Sequence, residues 1–198
     1  MIRRLGLFGG TFDPIHVAHL VLAEQAREQL RLDRVMFMPS AVPPHKIGRS
    51  ISPAKTRMEM VELAVAGFPE FVVSDMEIKR NGPSYTVDTL SALRESHPQT
   101  ELFLLLGGDS LVDFPTWRSP QEILSLASLA VMERVGSPSI ELDPALAGKV
   151  TNVEAPFLDV SGTDLRRRIE KGRSIRFLVP AAVEAFIEAQ GLYKNARD

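Results

Sequence analysis

Cysteine is missing from all 198 residues. That absence removes disulfide frameworks, thiolate zinc sites, iron–sulfur ligation and thiol nucleophiles in one step. No uninterrupted apolar run reaches the ~18 residues that a membrane-spanning helix needs. Charge of one sign is lacking as well: 23 basic residues stand against 25 acidic ones, for a net charge of −2. A dedicated nucleic-acid binder carries a basic excess, and this chain does not. Internal repeats, low-complexity tracts and long Pro/Gly linkers are absent too, so residues 1–198 are read as one domain. The N-terminal run Met1-Ile2-Arg3-Arg4-Leu5-Gly6-Leu7-Phe8 starts like a signal peptide. It breaks at Gly9-Gly10-Thr11-Phe12-Asp13-Pro14, before a sufficient apolar region forms. What is present, 44% hydrophobic and 24% charged residues, suits a core folded without staples. These features predict a soluble, cytoplasmic protein that engages neither membrane nor nucleic acid, and they leave a homo-oligomer open.

Short apolar runs alternate with helical periodicity along the chain. Residues 5–8, 35–38, 71–73, 102–106, 129–132 and 150–153 read as strands, and 17–30 and 87–95 as helices. Ser52 is expected to cap a helix that begins at Pro53 and stops at Gly67. Ser161-x-x-Asp164 has the form of a capping box, and a last helix runs from Pro180 to Gly191. The 102–106 run is apolar on both faces, as central parallel strands are. The alternation predicts an α/β fold, a parallel sheet of five to six strands flanked by helices with right-handed crossovers. Ligands of such sheets lie beyond the carboxyl ends of the strands, where strand order reverses. Three segments near strand ends stand out there: Gly9-Gly10-Thr11, Gly107-Gly108-Asp109 and Ser161-Gly162-Thr163.

The segment from Gly9 to His19 carries the most information. Paired glycines after a buried strand let backbone N–H groups approach an anion with no Cβ in the way. The helix that follows aims its positive end and open N–H groups at the same point. His16 and His19, three residues apart, share one face of its first turn, where two imidazoles can donate to a polyphosphate. A glycine turn followed by two surface or core histidines is the blander alternative. Zinc lacks a third ligand nearby and the H-E-x-x-H spacing. In Val160-Ser161-Gly162-Thr163-Asp164-Leu165-Arg166, two hydroxyls sit at a helix start and Arg166 offers a planar fork for phosphate oxygens. Residues 161–176 hold six basic and two acidic side chains. A solvated basic face accounts for Arg167, Arg168 and Lys171 better than a binding role does.

These two segments resemble the G-x-[FY]-[DN]-x-x-H-x-x-H and [ISV]-S-[ST]-x-[IL]-R signatures of the nucleotidyltransferase superfamily. Neither a Walker A loop nor G-x-G-x-x-G occurs. The resemblance implies a Rossmann-like nucleotidyltransferase fold in which His16, His19 and Arg166 are catalytic and hold ATP phosphates. It further implies ATP contacts from Gly9, Gly10, Thr11, Phe12, Gly107, Asp109, Ser161, Gly162 and Thr163. Asp109 suits ribose hydroxyls, with a helix cap as the plainer use. Gly162 departs from the pattern, which usually has a second Ser or Thr there. Glycine keeps the backbone N–H and loses one hydroxyl contact.

Three more segments narrow the resemblance: Pro43-Pro44-His45-Lys46, Ser84-Tyr85-Thr86-Val87-Asp88-Thr89-Leu90, and Gly107-Gly108-Asp109-Ser110-Leu111 with Trp117. Together they resemble the bacterial nicotinate-nucleotide adenylyltransferase family over nearly the whole chain. His45 and Lys46 can reach a phosphate from a stiffened loop, with an exposed basic turn as the plainer alternative. Ser84 and Thr86 open a helix whose N–H groups can hold a carboxylate. Trp117 can stack on a pyridine ring, though a core tryptophan is a fair rival. The family resemblance implies that His45, Lys46, Ser84, Tyr85, Thr86, Trp117, Arg118 and Arg134 bind nicotinate mononucleotide. It implies ATP as the second substrate, deamido-NAD and pyrophosphate as products, and Mg²⁺ carried by ATP, since no carboxylate cluster marks a protein-held metal. Sister transferases for phosphopantetheine or glycerol phosphate share the H-x-x-H but lack the Pro-Pro-His-Lys and Ser-Tyr-Thr segments. They and a nucleotide-binding sensor without turnover are the rival readings.

Overall fold

A computed structural model describes residues 2–42, 51–80, 82–134 and 148–194. The chain runs β1 (Arg4–Gly10), α1 (Val17–Gln29), β2 (Arg34–Pro39), α2 (Ala54–Val65), β3 (Phe71–Val73) and α3 (Met76–Arg80). It continues through α4 (Thr86–Ser96), β4 (Glu101–Gly107), α5 (Gly108–Asp113), a 3-10 turn (Phe114–Thr116), α6 (Pro120–Leu126) and β5 (Ser128–Arg134). β6 (Val150–Ala155), α7 (Gly162–Glu170) and α8 (Ala181–Ala189) close it. The six strands form one sheet in the order β3-β2-β1-β4-β5-β6, every pair parallel.

Side chains alternate across this sheet with the period of two that a strand imposes. Leu102, Leu104 and Leu106 join Leu5, Leu7, Leu129 and Val131 on one face, under α4, α5 and α6. Phe103, Leu105, Ala130 and Met132 face the other way, with Phe8 and Phe37, under α1, α2, α7 and α8. Both faces of the central strands are thus buried, which is why β4 reads as an unbroken apolar run. Buried alanines at positions 18, 23 and 26 give α1 a small-residue face for close approach.

All six expected strands are present, and boundaries differ where a residue serves a tertiary contact. β1 runs on through Gly9 and Gly10, which pair with Met38 and Pro39. Pro53, not Ser52, is the N-cap of α2. Ser52 instead gives its N–H to the Asp13 carboxylate (3.2 Å) and its carbonyl to Arg57 (2.9 Å). Pro180 likewise is the N-cap of α8 rather than its first residue. Gly67 and Gly191 follow the C-caps of α2 and α8 in left-handed conformation (φ 90° and 61°), as helix-stopping glycines do.

Strand order decides where a ligand can enter. The chain moves outward from β1 to β2 and β3, then crosses back to place β4 on the other side of β1. Connections leave β1 and β4 in opposite directions, opening a crevice beyond their carboxyl ends.

Candidate active site

Thr11 to His16 link β1 to α1 at this crevice, and little regular hydrogen bonding holds them. Their shape comes from side chains elsewhere in the chain. The Arg57 guanidinium is almost completely buried and donates to the carbonyls of Thr11 (2.7 Å), Ser40 (2.6 Å), Ala41 (3.2 Å) and Ser52 (2.9 Å). Arg166 Nη1 donates to the Asp13 carbonyl at 2.6 Å. Tyr193 Oη donates to Asp13 Oδ1 at 2.6 Å. Phe12 takes a left-handed φ of 50° and drives its ring into the core, edge-on to Phe8 and His19.

His16 is the N-cap of α1 and His19 its third residue; their rings stack at 3.7 Å between centroids. The His16 N–H donates to His19 Nδ1 (3.3 Å), so histidine does what glutamate does in a capping box. An accepting Nδ1 assigns the neutral ring's proton to Nε2, which is then a donor. Burial holds His16 neutral by lowering its pKa from 6.5 to about 4. Its Nδ1 is buried with no partner. The expected row of open helix-end amides is shorter than the spacing suggests. Val17 N–H goes to the Leu178 carbonyl (3.0 Å) and His19 N–H to that of His16 (3.0 Å), so the imidazoles are the distinctive donors here.

The second phosphate-type motif arrives from the far end of the chain. Ser161 caps α7 by accepting the Asp164 N–H at 3.1 Å. Only half of the expected capping box forms, because the Asp164 carboxylate turns to Arg167 (2.6 Å). Arg166 is held from two sides, by the Asp13 carbonyl and by Thr163 Oγ1 at 3.3 Å. Gly162 has a definite structural reason: a Cβ there would lie 2.9 Å from the Asp13 carbonyl oxygen. Glycine lets the start of α7 sit against the β1–α1 loop. Gly10 is needed for another neighbour, since its Cβ would meet the Phe12 ring at 2.8 Å. A Cβ on Gly9 would meet nothing within 4 Å, so Gly9 is the one that borders open space.

Thr11, Phe12, His16, His19, Ser161, Gly162, Thr163 and Arg166 line one cleft of about 500 Å³. Gly9, Gly10 and Gly107 lie at the ends of β1 and β4 without lining it, and Asp109 follows in α5. Asp13, Ser110, Leu158 and Val160 also line it. Asp13 and Val160 stand inside the two signatures and Ser110 inside the Gly107–Leu111 segment, which marked their segments without assigning them a contact; Leu158 carries no such signal.

A second group gathers at the same edge of the sheet. Ser84 Oγ accepts the Ala41 N–H (2.9 Å) and Ser84 N–H reaches the Val42 carbonyl (3.1 Å), tying the start of α4 to the exit of β2. Tyr85 is the N-cap of α4, and Thr86 its first residue. The Arg118 guanidinium lies over the Tyr85 ring at 4.7 Å and 3.9 Å from Asp88. Trp117 is half-buried, with its ring 5.7 Å from Phe114. Ser84, Tyr85, Thr86, Trp117 and Arg118 thus form one neighbourhood. Arg134 ends β5. His45 and Lys46 lie outside the described residues.

Known proteins resemble this chain in sequence and in fold. Residues 7–168 match the cytidylyltransferase-like family, a span that includes both phosphate-type motifs. The chain belongs to that family. This cytidylyltransferase-like chain is also 47% identical to a protein of Thermomicrobium roseum, covering 98% of this chain and 93% of the relative. It is 48% identical to one of Thermus thermophilus, covering 96% and 100%. Both relatives are named probable nicotinate-nucleotide adenylyltransferase. Among solved structures, nicotinic acid mononucleotide adenylyltransferase of Plasmodium falciparum, complexed with NaAD, superposes with a TM-score of 0.80 at 19% identity. That match covers 96% of this chain and 97% of the other, and at such identity it speaks for the fold.

Proposed function

We infer that this nucleotidyltransferase joins ATP to nicotinate mononucleotide, releasing deamido-NAD and pyrophosphate in NAD biosynthesis. The observation that carries the reading is the meeting of two helix starts, α1 with stacked His16 and His19 and α7 with Arg166, around one cleft at the strand-order reversal. Full-length relatives at 47–48% identity supply the acceptor.

The 5′-phosphate of the mononucleotide attacks the α-phosphorus of ATP in line. A new P–O bond forms as the bond to the β-phosphate oxygen breaks, and that electron pair leaves with pyrophosphate. The nucleophile is already an anion at neutral pH, so neither a general base nor a protein nucleophile is required. Rate comes from positioning and from placing donors where negative charge grows. In this reading the rings of His16 and His19 donate to ATP phosphates, Arg166 holds the outer phosphates, and the backbone from Gly9 to Phe12 completes the cradle. Gly107, Asp109, Ser161, Gly162 and Thr163 complete the ATP side.

Mg²⁺ enters bound to ATP. Asp13, the one acid among the described residues that line the cleft, has one carboxylate oxygen on Tyr193 and the other on Ser52, an arrangement that serves the loop rather than a cation. The acceptor is assigned to the Tyr85–Arg118 neighbourhood: the start of α4 toward the carboxylate, Trp117 against the pyridine ring, with His45, Lys46 and Arg134 completing the set. The chain works as one unit because all six strands share one sheet. No helix among the described residues is long and apolar enough to cross a membrane. We assign the enzyme to the cytoplasm, engaging no nucleic acid.

Pyrophosphate release with Mg²⁺, ATP and each candidate acceptor tests the reading. Nicotinate mononucleotide should support turnover while phosphopantetheine and glycerol phosphate do not. Turnover with either of those, or ATP binding without product, would contradict it.

A further inference from the structure

Asp13 is a junction between segments far apart in sequence. Its carbonyl accepts Arg166 Nη1 (2.6 Å), one carboxylate oxygen accepts Tyr193 Oη (2.6 Å), and the other accepts the Ser52 N–H (3.2 Å). The carboxylate is buried, with the buried Arg57 guanidinium and Arg166 as charged neighbours. Both oxygens nevertheless take neutral donors, a phenol and an amide, and leave the guanidinium groups alone.

Tyr193 reaches Asp13 from the turn that follows α8, 180 residues away in the chain. Its backbone is left-handed (φ 63°) just after Gly191 (φ 61°), a conformation that is strained for a non-glycine residue and persists where the surroundings demand it. The ring packs against the core on the α1 face, with Oη 3.9 Å from Met60 Sδ. Burial and the adjoining Asp13 carboxylate push the phenol pKa up, outweighing Ser52 and Arg166, so the hydroxyl stays a donor.

We propose that Tyr193 is a positioning residue for the nucleotide cleft: its hydroxyl holds the Asp13 carboxylate away from Arg166, keeping that guanidinium's charge for phosphate. This rests on the adenylyltransferase reading above. Without the hydroxyl, a buried carboxylate short of one hydrogen bond turns to the cation beside it, since a buried charge must find a partner. Of the two guanidinium neighbours, Arg57 already spends its N–H groups on four carbonyls, whereas Arg166 is fixed to the carbonyl of Asp13 itself and lines the cleft. The ion pair that results competes with the phosphates of ATP.

Tyr193→Phe removes the hydroxyl and leaves the ring. The expected result is a KM for ATP raised about tenfold, a weakened calorimetric affinity for a non-hydrolysable ATP analogue with Mg²⁺, and a KM for nicotinate mononucleotide within about twofold of wild type. In an Asp13→Asn background no carboxylate is left to capture Arg166, so adding Tyr193→Phe should change the analogue affinity by less than about twofold. A lower Tm with unchanged ATP KM and analogue affinity would overturn the proposal and leave Tyr193 a plain staple. So would additive effects of the two substitutions. A wild type that binds the analogue but makes no pyrophosphate with nicotinate mononucleotide sinks the functional reading alone. The analogue affinities of the variants still decide the role of Tyr193.

Discussion

His16 combines burial with a vacant ring nitrogen and a pKa lowered to about 4, so it stays neutral throughout the neutral range. In the unfolded chain the same ring takes up a proton near 6.5. The unfolded state therefore binds more protons between these values, and His16 favours folding above pH 6.5, an advantage lost as pH falls toward 4. The loss from this group is about 3 kcal/mol. Urea unfolding of wild type and His16→Gln from pH 7 to pH 4 should show a shallower decline for the variant; parallel declines would mean that burial does not perturb His16. Glu77, whose pKa burial raises, acts in the opposite direction but equally in both proteins. His19 is a different case, tied to the helix through Nδ1 with its other nitrogen assigned as donor. His19→Ala should lose at least about 10² in kcat/KM while remaining folded by circular dichroism. Wild-type turnover by that variant would remove His19 from the chemistry.

At the scale of elements, the strands and the longer helices were readable from sequence and the short helices were not. α1, α4 and the six strands lie where apolar period and caps place them. α3, α5 and α6 run from five to seven residues, too short for a period of 3.6 to register. Ser119 starts α6 from a left-handed φ of 52°, a conformation that the Ser119-Pro120 pair does not specify by itself. The resemblance to the two superfamily signatures implied that His16, His19, Ser161 and Arg166 belong together, and they line one cleft. It did not anticipate Arg57 or Tyr193, because an arginine or tyrosine buried by tertiary contact looks like any other in sequence. Arg57 joins β1, β2 and α2 through four carbonyls. Arg57→Met should destabilise the fold by about 3 kcal/mol, since buried acceptors lose their donor. A change of less than about 1 kcal/mol in chemical denaturation would show that water replaces the guanidinium freely. Gly162→Ala sets a methyl 2.9 Å from backbone that cannot swing aside, so α7 must shift away from the β1–α1 loop. A KM for ATP raised several-fold is the expected reading, and an unchanged KM would show that α7 gives way without consequence.

Across the whole molecule, one edge of the sheet carries two neighbourhoods of different character. The α1–α7 cleft is built from imidazole, hydroxyl and guanidinium groups, suited to polyphosphate. The Tyr85–Arg118 neighbourhood is aromatic and cationic, suited to a pyridine bearing a carboxylate. If the start of α4 and Arg118 read a negative charge there, nicotinamide mononucleotide, which lacks it, should show a kcat/KM lower by at least about tenfold. Equal values for acid and amide would contradict the assignment. The account depends most on where the triphosphate sits. A crystal structure with a non-hydrolysable ATP analogue and Mg²⁺ addresses this directly. It should show the phosphates between the His16–His19 pair and Arg166, beyond the carboxyl ends of β1 and β4. An analogue bound elsewhere, with that cleft empty, would contradict the account.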